Sequence, residues 1–304
     1  MHPKNRYQGK HDFPALARIV PELKNFFVTT PAGHVSLDFA HPDAVRHLNR
    51  ALLLRDYGLK FWDLPPGSLC PGVPGRLDYI HAINDLLTEG ALPQVPSKDK
   101  QKGPAKKQGP HSSQPTILDV GTGASLIYPI LGVKEYNWNF VGTDIEDQSL
   151  KVAGAIVKFN PKLQRKIELR KQPQRQQIFR DVVRADDYFA ATLCNPPFFA
   201  DEQGATSAAK TKWEKLGEDE ATGYNFGGNP NELWTPGGEP AFLRRMIIES
   251  GQFRKQVGWF TTLVSKKGYL HAAKQQLGKA KVKTVKIIPI GQGGKVRRIL
   301  CWRY

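Results

Sequence analysis

Thr116-Ile117-Leu118-Asp119-Val120-Gly121-Thr122-Gly123-Ala124-Ser125 is an apolar strand running into a Gly-x-Gly turn, with a helix-like segment, Leu126 to Leu131, behind it. Glycines in such a turn let the backbone come close to a ligand. The next strand, Asn139 to Gly142, ends at Thr143-Asp144, twenty-three residues after Gly121. An acid at that point can accept hydrogen bonds from both hydroxyls of an adenosine ribose. The glycine turn by itself says little, because position 126 is Leu where a dinucleotide fingerprint has its third glycine. Together with Asp144 it is a nucleoside-cofactor signal.

Downstream, the apolar run Phe189 to Leu193 reads as a buried strand that ends in Cys194-Asn195-Pro196-Pro197-Phe198-Phe199. The Asn195 amide oxygen and the Pro196 carbonyl can both accept hydrogen bonds from a planar amino group. Two consecutive prolines aim those acceptors before a substrate arrives. Phe198 offers a face on which a base can stack. Read alone, the tetrad is more simply a rigid turn with an aromatic plug; the glycine turn and Asp144 upstream make it a candidate catalytic site comprising Asn195, Pro196, Pro197 and Phe198.

Strands and helices alternate through this region, with helices expected near Asp147 to Phe159 and between a strand at Ile167–Arg170 and the Phe189 strand. A helix at Phe242–Ser250, a strand at Val257–Ser265 and a helix ending at Leu277 follow. Two last strands, Val282–Pro289 and Arg297–Trp302, read as the closing hairpin of a mixed sheet. The pattern predicts a three-layer α/β sandwich, whose ligands bind at the carboxyl ends of the central strands. Asp201 to Pro240, long and polar, is placed to act as a substrate lid.

Residues 1–92 read as a separate helical unit. Apolar spacing marks Asp12 to Phe27, interrupted by Pro21, and Pro42 to Tyr57, stopped by Gly58. Leu64 to Gly75, with four prolines and three glycines, is expected to be irregular. A short helix at Tyr79–Leu87 follows, with Arg76 just before it, whose plainest reading on these residues alone is an ordinary surface cation. Residues 93–115 form a basic, low-complexity linker, which leaves 116–304 as the catalytic domain.

The chain's 304 residues carry a net charge of +16, and the charge is uneven. Gly251 to Tyr304 holds thirteen Lys or Arg and no acid, and Lys162 to Arg184 holds eight basic and two acidic residues. One-sided tracts inside folded elements favour a nucleic-acid partner; Lys266, Lys267, Arg297 and Arg298 are the candidate contacts in the first tract. No apolar run reaches the length of a membrane span, and the N-terminus lacks a signal peptide's apolar core. Cys70, Cys194 and Cys301 make neither a disulfide framework nor a metal site, which points to a reducing, cytoplasmic setting.

The strand–Asp-x-Gly-x-Gly unit, the acid on the second strand and Asn-Pro-Pro-Phe on the fourth resemble S-adenosylmethionine-dependent methyltransferases acting on exocyclic amines. Longer strings carry a closer resemblance: His2-Pro3-Lys4-Asn5-Arg6, Leu37-Asp38-Phe39-Ala40, Cys70-Pro71-Gly72-Val73-Pro74-Gly75-Arg76 with Tyr79-Ile80-His81, Gly123 to Pro129, Asn225-Phe226-Gly227-Gly228, Gly237-Gly238-Glu239 and Trp259-Phe260-Thr261. Through them the chain resembles the RlmF family of bacterial large-subunit ribosomal RNA adenine-N6 methyltransferases, and their eukaryotic relative, methyltransferase-like protein sixteen. The departures are a longer, more basic 93–115 segment and Asp144 where relatives more often carry Glu.

The resemblance implies a Rossmann-like class I methyltransferase fold with a small N-terminal helical unit. It also implies S-adenosylmethionine as cofactor and cofactor contacts from Arg76, Gly121, Ser125 and Asp144. Asp119, Gly123 and Asn195, in the same turns, complete the candidate cofactor set. By the same carry-over, the N-terminal unit and the loop from Lys171 to Arg175 grip RNA. The implied reaction is methyl transfer to the N6 amine of an adenine in structured RNA, foremost large-subunit (23S) ribosomal RNA, with U6 small nuclear RNA as the eukaryotic alternative.

Four rivals share parts of this pattern. A small-molecule amine N-methyltransferase needs no basic tracts. DNA adenine methylation shares the Asn-Pro-Pro-Phe chemistry, and charge does not separate RNA from DNA. A non-catalytic RNA-binding protein is expected to lose Asp144 or Asn195. A nicotinamide dehydrogenase lacks its third glycine here.

Overall fold

The computed structural model describes residues 1–9, 11–66, 68–89, 114–197, 234–292 and 295–304. Phe198, nearly all of the lid stretch (201–233 of Asp201–Pro240) and nearly all of the 93–115 linker lie outside the described residues, as do the family strings at 225–228. The chain opens with α1 (Phe13–Ile19), a 3-10 turn (Pro21–Phe26) and a small antiparallel hairpin, β1 (Phe27–Thr29) and β2 (Val35–Leu37). Pro21 divides the expected Asp12–Phe27 helix because it offers no N–H to the preceding turn. Then come α2 (Pro42–Tyr57) and α3 (Val73–Glu89). In α2 the His41 side chain accepts from Asp43 N, and Gly58, at φ 59°, closes the other end.

α3 begins six residues earlier than its sequence suggests. Pro74 and Gly75 fall in its first turn, where proline's missing N–H costs nothing. The Asn49 side chain of α2 receives the Val73 N–H at 3.2 Å and donates to the Pro71 carbonyl at 3.1 Å, so the start of α3 is held from another helix. Arg76 therefore lies inside the helix and is buried, not a surface cation.

The sandwich proper runs β3 (Thr116–Val120), α4 (Ile127–Tyr136), β4 (Asn139–Asp144), α5 (Asp147–Phe159), α6 (Pro161–Gln164), β5 (Ile167–Lys171), β6 (Phe189–Cys194), α7 (Gly238–Ser250), β7 (Val257–Val264), α8 (Tyr269–Lys279), β8 (Thr284–Gln292) and β9 (Lys295–Arg303). The sheet order is β5-β4-β3-β6-β7-β9-β8. Its first five strands are parallel and β9 is antiparallel to both its neighbours. Alternation along the strands sends Ile117, Phe140 and Cys301 to one face and Leu118, Val141 and Trp302 to the other. The first face packs on α2 to α5 and the N-terminal elements. The second packs on α7 and α8, which completes the three layers.

The helix expected between β5 and β6 is absent; 172–188 is a series of turns. Glu249 of α7 accepts the N–H groups of Ile178 (3.0 Å), Phe179 (2.8 Å) and Arg180 (2.6 Å). A carboxylate that takes three successive donors competes directly with a helix's own ladder.

Candidate active site

The strand order reverses at β3, which is followed to one side by β4 and β5 and to the other by β6 and β7. Such a switch point opens a crevice beyond the carboxyl ends of the flanking strands. Gly121 follows β3 and Asn195 follows β6, so both candidate turns rise at that crevice, and Asp144 ends β4 beside them. Pro196 is buried, while Asn195 and Pro197 are half-buried at the rim.

Gly121 and Gly123 have φ of 71° and 62°, and a Cβ on either would meet nothing within 4 Å. Their positive φ demands glycine, and the open space above them is where a ligand can approach the backbone. Leu126, the position that looked foreign to a dinucleotide turn, also adopts positive φ (52°), held there by complete burial. The turn is tied to β4 twice: Thr122 N donates to the Thr143 carbonyl (2.8 Å), and Gly123 N donates to Asp144 Oδ2 (2.9 Å). The other Asp144 oxygen accepts from Glu146 N at 2.9 Å. Each oxygen keeps a further lone pair.

Asp119 is fully buried beneath this turn, and among the described residues its carboxylate oxygens make no well-formed hydrogen bond, although the Thr122 hydroxyl lies close enough to act on its charge. Burial pushes the Asp119 pKa up to about 7, opposed by the Thr122 hydroxyl, and the Asp144 charge adds a smaller rise. Asp144 itself is raised by burial, opposed by the backbone N–H groups of Glu146, Gly123 and, less strongly, Ile145. Ser125 is buried, and its carbonyl accepts from the indole of Trp62 at 3.0 Å, which fixes the end of the glycine turn against the N-terminal elements.

Arg76 lies with its guanidinium carbon 5.9 Å from the centre of the Tyr128 ring on α4. Among the described residues it has no carboxylate partner. Tyr128 is buried, its hydroxyl without a hydrogen-bond partner among the described residues, and burial raises it to about 12 against the opposing charge of Arg76. One turn further along α3, Tyr79 is wholly buried. Its hydroxyl lies 2.8 Å from Thr261 Oγ1 and accepts the Cys194 N–H at 3.5 Å. Regular pairing of β6 with β7 reaches Ala191 and Trp259. Beyond it, side chains take over: Thr261 N donates to Thr192 Oγ1 (2.9 Å), and Thr261 Oγ1 donates to the Thr192 carbonyl. The strands thus part just where Asn195 leaves the sheet, with Tyr79 between them.

Glu239, in the first turn of α7, accepts from Ser265 N (2.7 Å) and from the Ser265 hydroxyl, closing the carboxyl end of β7 against α7. Burial raises its pKa. In the sequence Tyr79 marks only a helix start and part of a family string, Glu239 only part of such a string, and Thr192 and Tyr128 carry no role. The spacing of Arg76 and Tyr79, three residues apart on one helical face, is the signal that could have joined them.

The basic candidates divide. Lys171 is tied to the Ile145 carbonyl (2.6 Å) and to Asp147 (3.0 Å). Arg175 is tied to Glu146 (3.2 Å) and lies over the Trp234 ring at 5.3 Å. These two clasp the turn after Asp144. Lys266 and Lys267 follow β7, and Arg298 pairs in register with Val264 at the same edge. The pKa of Arg297 is lowered, first by the protein packed around it and then by the charge of Arg76. All six therefore sit at the carboxyl edge with the crevice.

The whole chain, residues 1–304, matches the family Methyltransf_10, described as RNA methyltransferase. The chain belongs to this RNA methyltransferase family. Its relatives include ribosomal RNA large subunit methyltransferase F of Pseudomonas entomophila (strain L48), 44% identical over 308 residues, covering all of this chain and 93% of the relative. The protein of the same name from Salmonella agona (strain SL483) is 43% identical over 306 residues, again with 100% and 93% covered. Among solved structures, the human METTL16 catalytic domain in complex with MAT2A 3'UTR hairpin 1 matches with a TM-score of 0.81 at 31% identity, covering 100% of this chain and 95% of that one. The N-terminal domain of human METTL16 in complex with SAH matches at 0.75 and 31%, covering 100% and 98%. At this likeness the seven-stranded sandwich of this RNA methyltransferase is a Rossmann-like class I methyltransferase fold.

No helix among the described residues is long and apolar enough to cross a membrane. Among those residues no group of three His, Cys, Asp or Glu side chains could hold a metal ion, and Cys70, Cys194 and Cys301 are buried free thiols.

Proposed function

We propose that this RNA methyltransferase transfers a methyl group from S-adenosylmethionine to the exocyclic N6 amine of one adenine in large-subunit (23S) ribosomal RNA. The observation that carries the reading is the convergence of the glycine turn, Asp144 and Asn195-Pro196 on one crevice at the switch point. Ribosomal RNA is supported by the names of the relatives at 43% and 44% identity. The work then takes place in the cytoplasm, where ribosomes are assembled.

The residues present fit the methyl donor. Asp144, with a free lone pair on each oxygen, would hold the ribose hydroxyls. The open backbone at Gly121 and Gly123, with Ser125, would line the nucleoside's path. The buried carboxylate of Asp119, and Arg76, which has no carboxylate partner among the described residues, suit the donor's zwitterionic amino-acid end, and Asn195 borders it from β6. When bound, S-adenosylmethionine supplies a methyl group already activated by a good leaving group.

Asn195 and Pro196 act on the acceptor. The adenine N6 lone pair is delocalised into its ring, which makes the amine a poor nucleophile. Accepting both amine hydrogens, on the Asn195 amide oxygen and the Pro196 carbonyl, favours tetrahedral geometry at nitrogen as the new bond forms. That stabilisation is concentrated in the transition state. Pro196 and Pro197 hold the acceptors rigid, so alignment needs no reorganisation. The adenine must leave its stack to enter, with Phe198 as its stacking partner. The proton released passes to water. Residues 1–92 would act as the RNA-gripping helical unit, 93–115 as a linker and 116–304 as the methyltransferase domain. Lys171, Arg175, Lys266, Lys267, Arg297 and Arg298 would contact the RNA near the crevice.

Labelled S-adenosylmethionine offered with protein-free large-subunit ribosomal RNA, small nuclear RNA and DNA tests this directly. Label is expected as N6-methyladenosine in the ribosomal RNA. Label confined to small nuclear RNA would move the substrate to the eukaryotic type. Cofactor binding without label in any nucleic acid would overturn the reading in favour of a small-molecule amine.

A further inference from the structure

The sheet's other end holds a second basic feature. A groove of about 730 Å³ opens at the amino ends of β4 and β5, lined among others by Lys134, Asn137, Pro161, Lys162, Arg165 and Lys166. Arg6 and Asp56 line it too, and the other four cations come from three places: the last turn of α4, the short α6 and the residues leading into β5. Among the described residues none of the four has a carboxylate partner; the Lys166 ammonium donates only to the Asn137 carbonyl, at 3.1 Å. The acids nearby are already engaged, Glu135 by Arg6 at 2.7 Å and Asp56 by Arg55 at 2.6 Å. Burial and then the charge of Lys162 lower the Lys134 pKa.

β4 separates this groove from Asp144. Its five residue steps from Asn139 span roughly 17 Å at ~3.3 Å each, so the groove cannot touch the adenine being modified. Unneutralised cations gathered on a concave surface repel one another, and a polyanion laid across them relieves the repulsion and releases its own counterions. The Lys162–Arg184 tract thus splits. Arg170 is spent internally on Glu168 and Asp187, Lys171 and Arg175 serve the crevice, and Lys162, Arg165 and Lys166 serve the opposite edge.

We propose that Lys134, Lys162, Arg165 and Lys166 form a second RNA-backbone contact, which holds a part of the substrate RNA remote from the target adenine. The proposal rests on the reading of the chain as an enzyme acting on structured RNA. A substrate gripped at both ends of the sheet must be an extended or folded RNA, and a short oligonucleotide that fills only the crevice would forgo this contact.

The test is binding of protein-free large-subunit ribosomal RNA over a range of salt, comparing wild type with Lys162→Gln/Arg165→Gln. Both positions are exposed, so the variant should fold. Loss of two phosphate contacts at ~0.7 each should reduce the slope of log affinity against log salt by about 1.4, and affinity at low salt by about tenfold. Lys151→Gln/Lys158→Gln removes equal charge from exposed positions on α5 and should have a clearly smaller effect. An unchanged slope in the groove variant would overturn the proposal and leave the groove to an acidic protein. An equal fall in both variants would overturn it as well, since net charge alone would then explain binding. A wild type that transfers no methyl group, yet whose groove variant loses the predicted slope, would sink the proposed reaction and uphold this contact.

Discussion

The Tyr79 hydroxyl lies 2.8 Å from Thr261 Oγ1 and accepts the Cys194 N–H, in a wholly buried position where β6 and β7 part. One side chain of the N-terminal elements thus sits behind the turn that presents Asn195. Tyr79→Phe would keep the ring and leave the Thr261 hydroxyl and the Cys194 N–H without this partner. We expect a stability loss of about 1–3 kcal/mol by denaturant unfolding. We also expect kcat to fall about tenfold with little change in the KM for S-adenosylmethionine. A loss of stability with full kcat would reduce Tyr79 to a packing residue.

Asn195→Ala removes one of two acceptors aimed at the amine. Loss of one preorganised transition-state contact costs about 10²–10³ in rate. The expected result is that drop in single-turnover methyl transfer, with cofactor affinity by calorimetry changed far less. Comparable loss of both would make Asn195 chiefly a cofactor contact.

Asp119 sets a pH dependence. In the unfolded chain its carboxyl ionises near the ordinary 3.8, but in the fold only at about 7. Between those values the folded state binds more protons than the unfolded one, so stability falls as pH rises through that window. The urea midpoint of the ligand-free protein is expected to drop as pH rises from about 4 to about 7, and Asp119→Asn should flatten that drop while weakening cofactor binding. If the variant keeps the wild-type pH profile, another group is responsible.

Glu249 holds the 172–188 turns by accepting from three consecutive N–H groups. Glu249→Gln discharges those bonds and turns an amide donor toward the same N–H groups. A destabilisation of about 2–3 kcal/mol is expected. Limited proteolysis should cut first within these turns, and cleavage elsewhere at wild-type rate would show that the loop is held by other contacts.

Much of the fold and site is legible in local residues. The Thr116–Ser125 strand and turn, the α2 helix from Pro42 to the Gly58 stop, Asp144 at the end of β4, and the closing hairpin all follow from features a few residues apart: apolar runs, a capping side chain, a glycine able to take positive φ. Those forces act within a turn or two and need no distant partner. Phe198 and the lid were equally legible as candidates but fall outside the described residues.

What the sequence by itself determined is the alternation of β and α and the three turns that carry the candidate chemistry. Only the tertiary structure decided what those turns rest on. Asn49 starts α3 at Val73 from another helix; Arg76 is buried against Tyr128; Tyr79 reaches between β6 and β7; Glu249 turns an expected helix into a pinned loop. Each depends on a polar group brought in from well outside its own segment, where burial makes an unmet hydrogen bond costly and a met one decisive. Local propensity carries no record of which distant donor or acceptor will arrive.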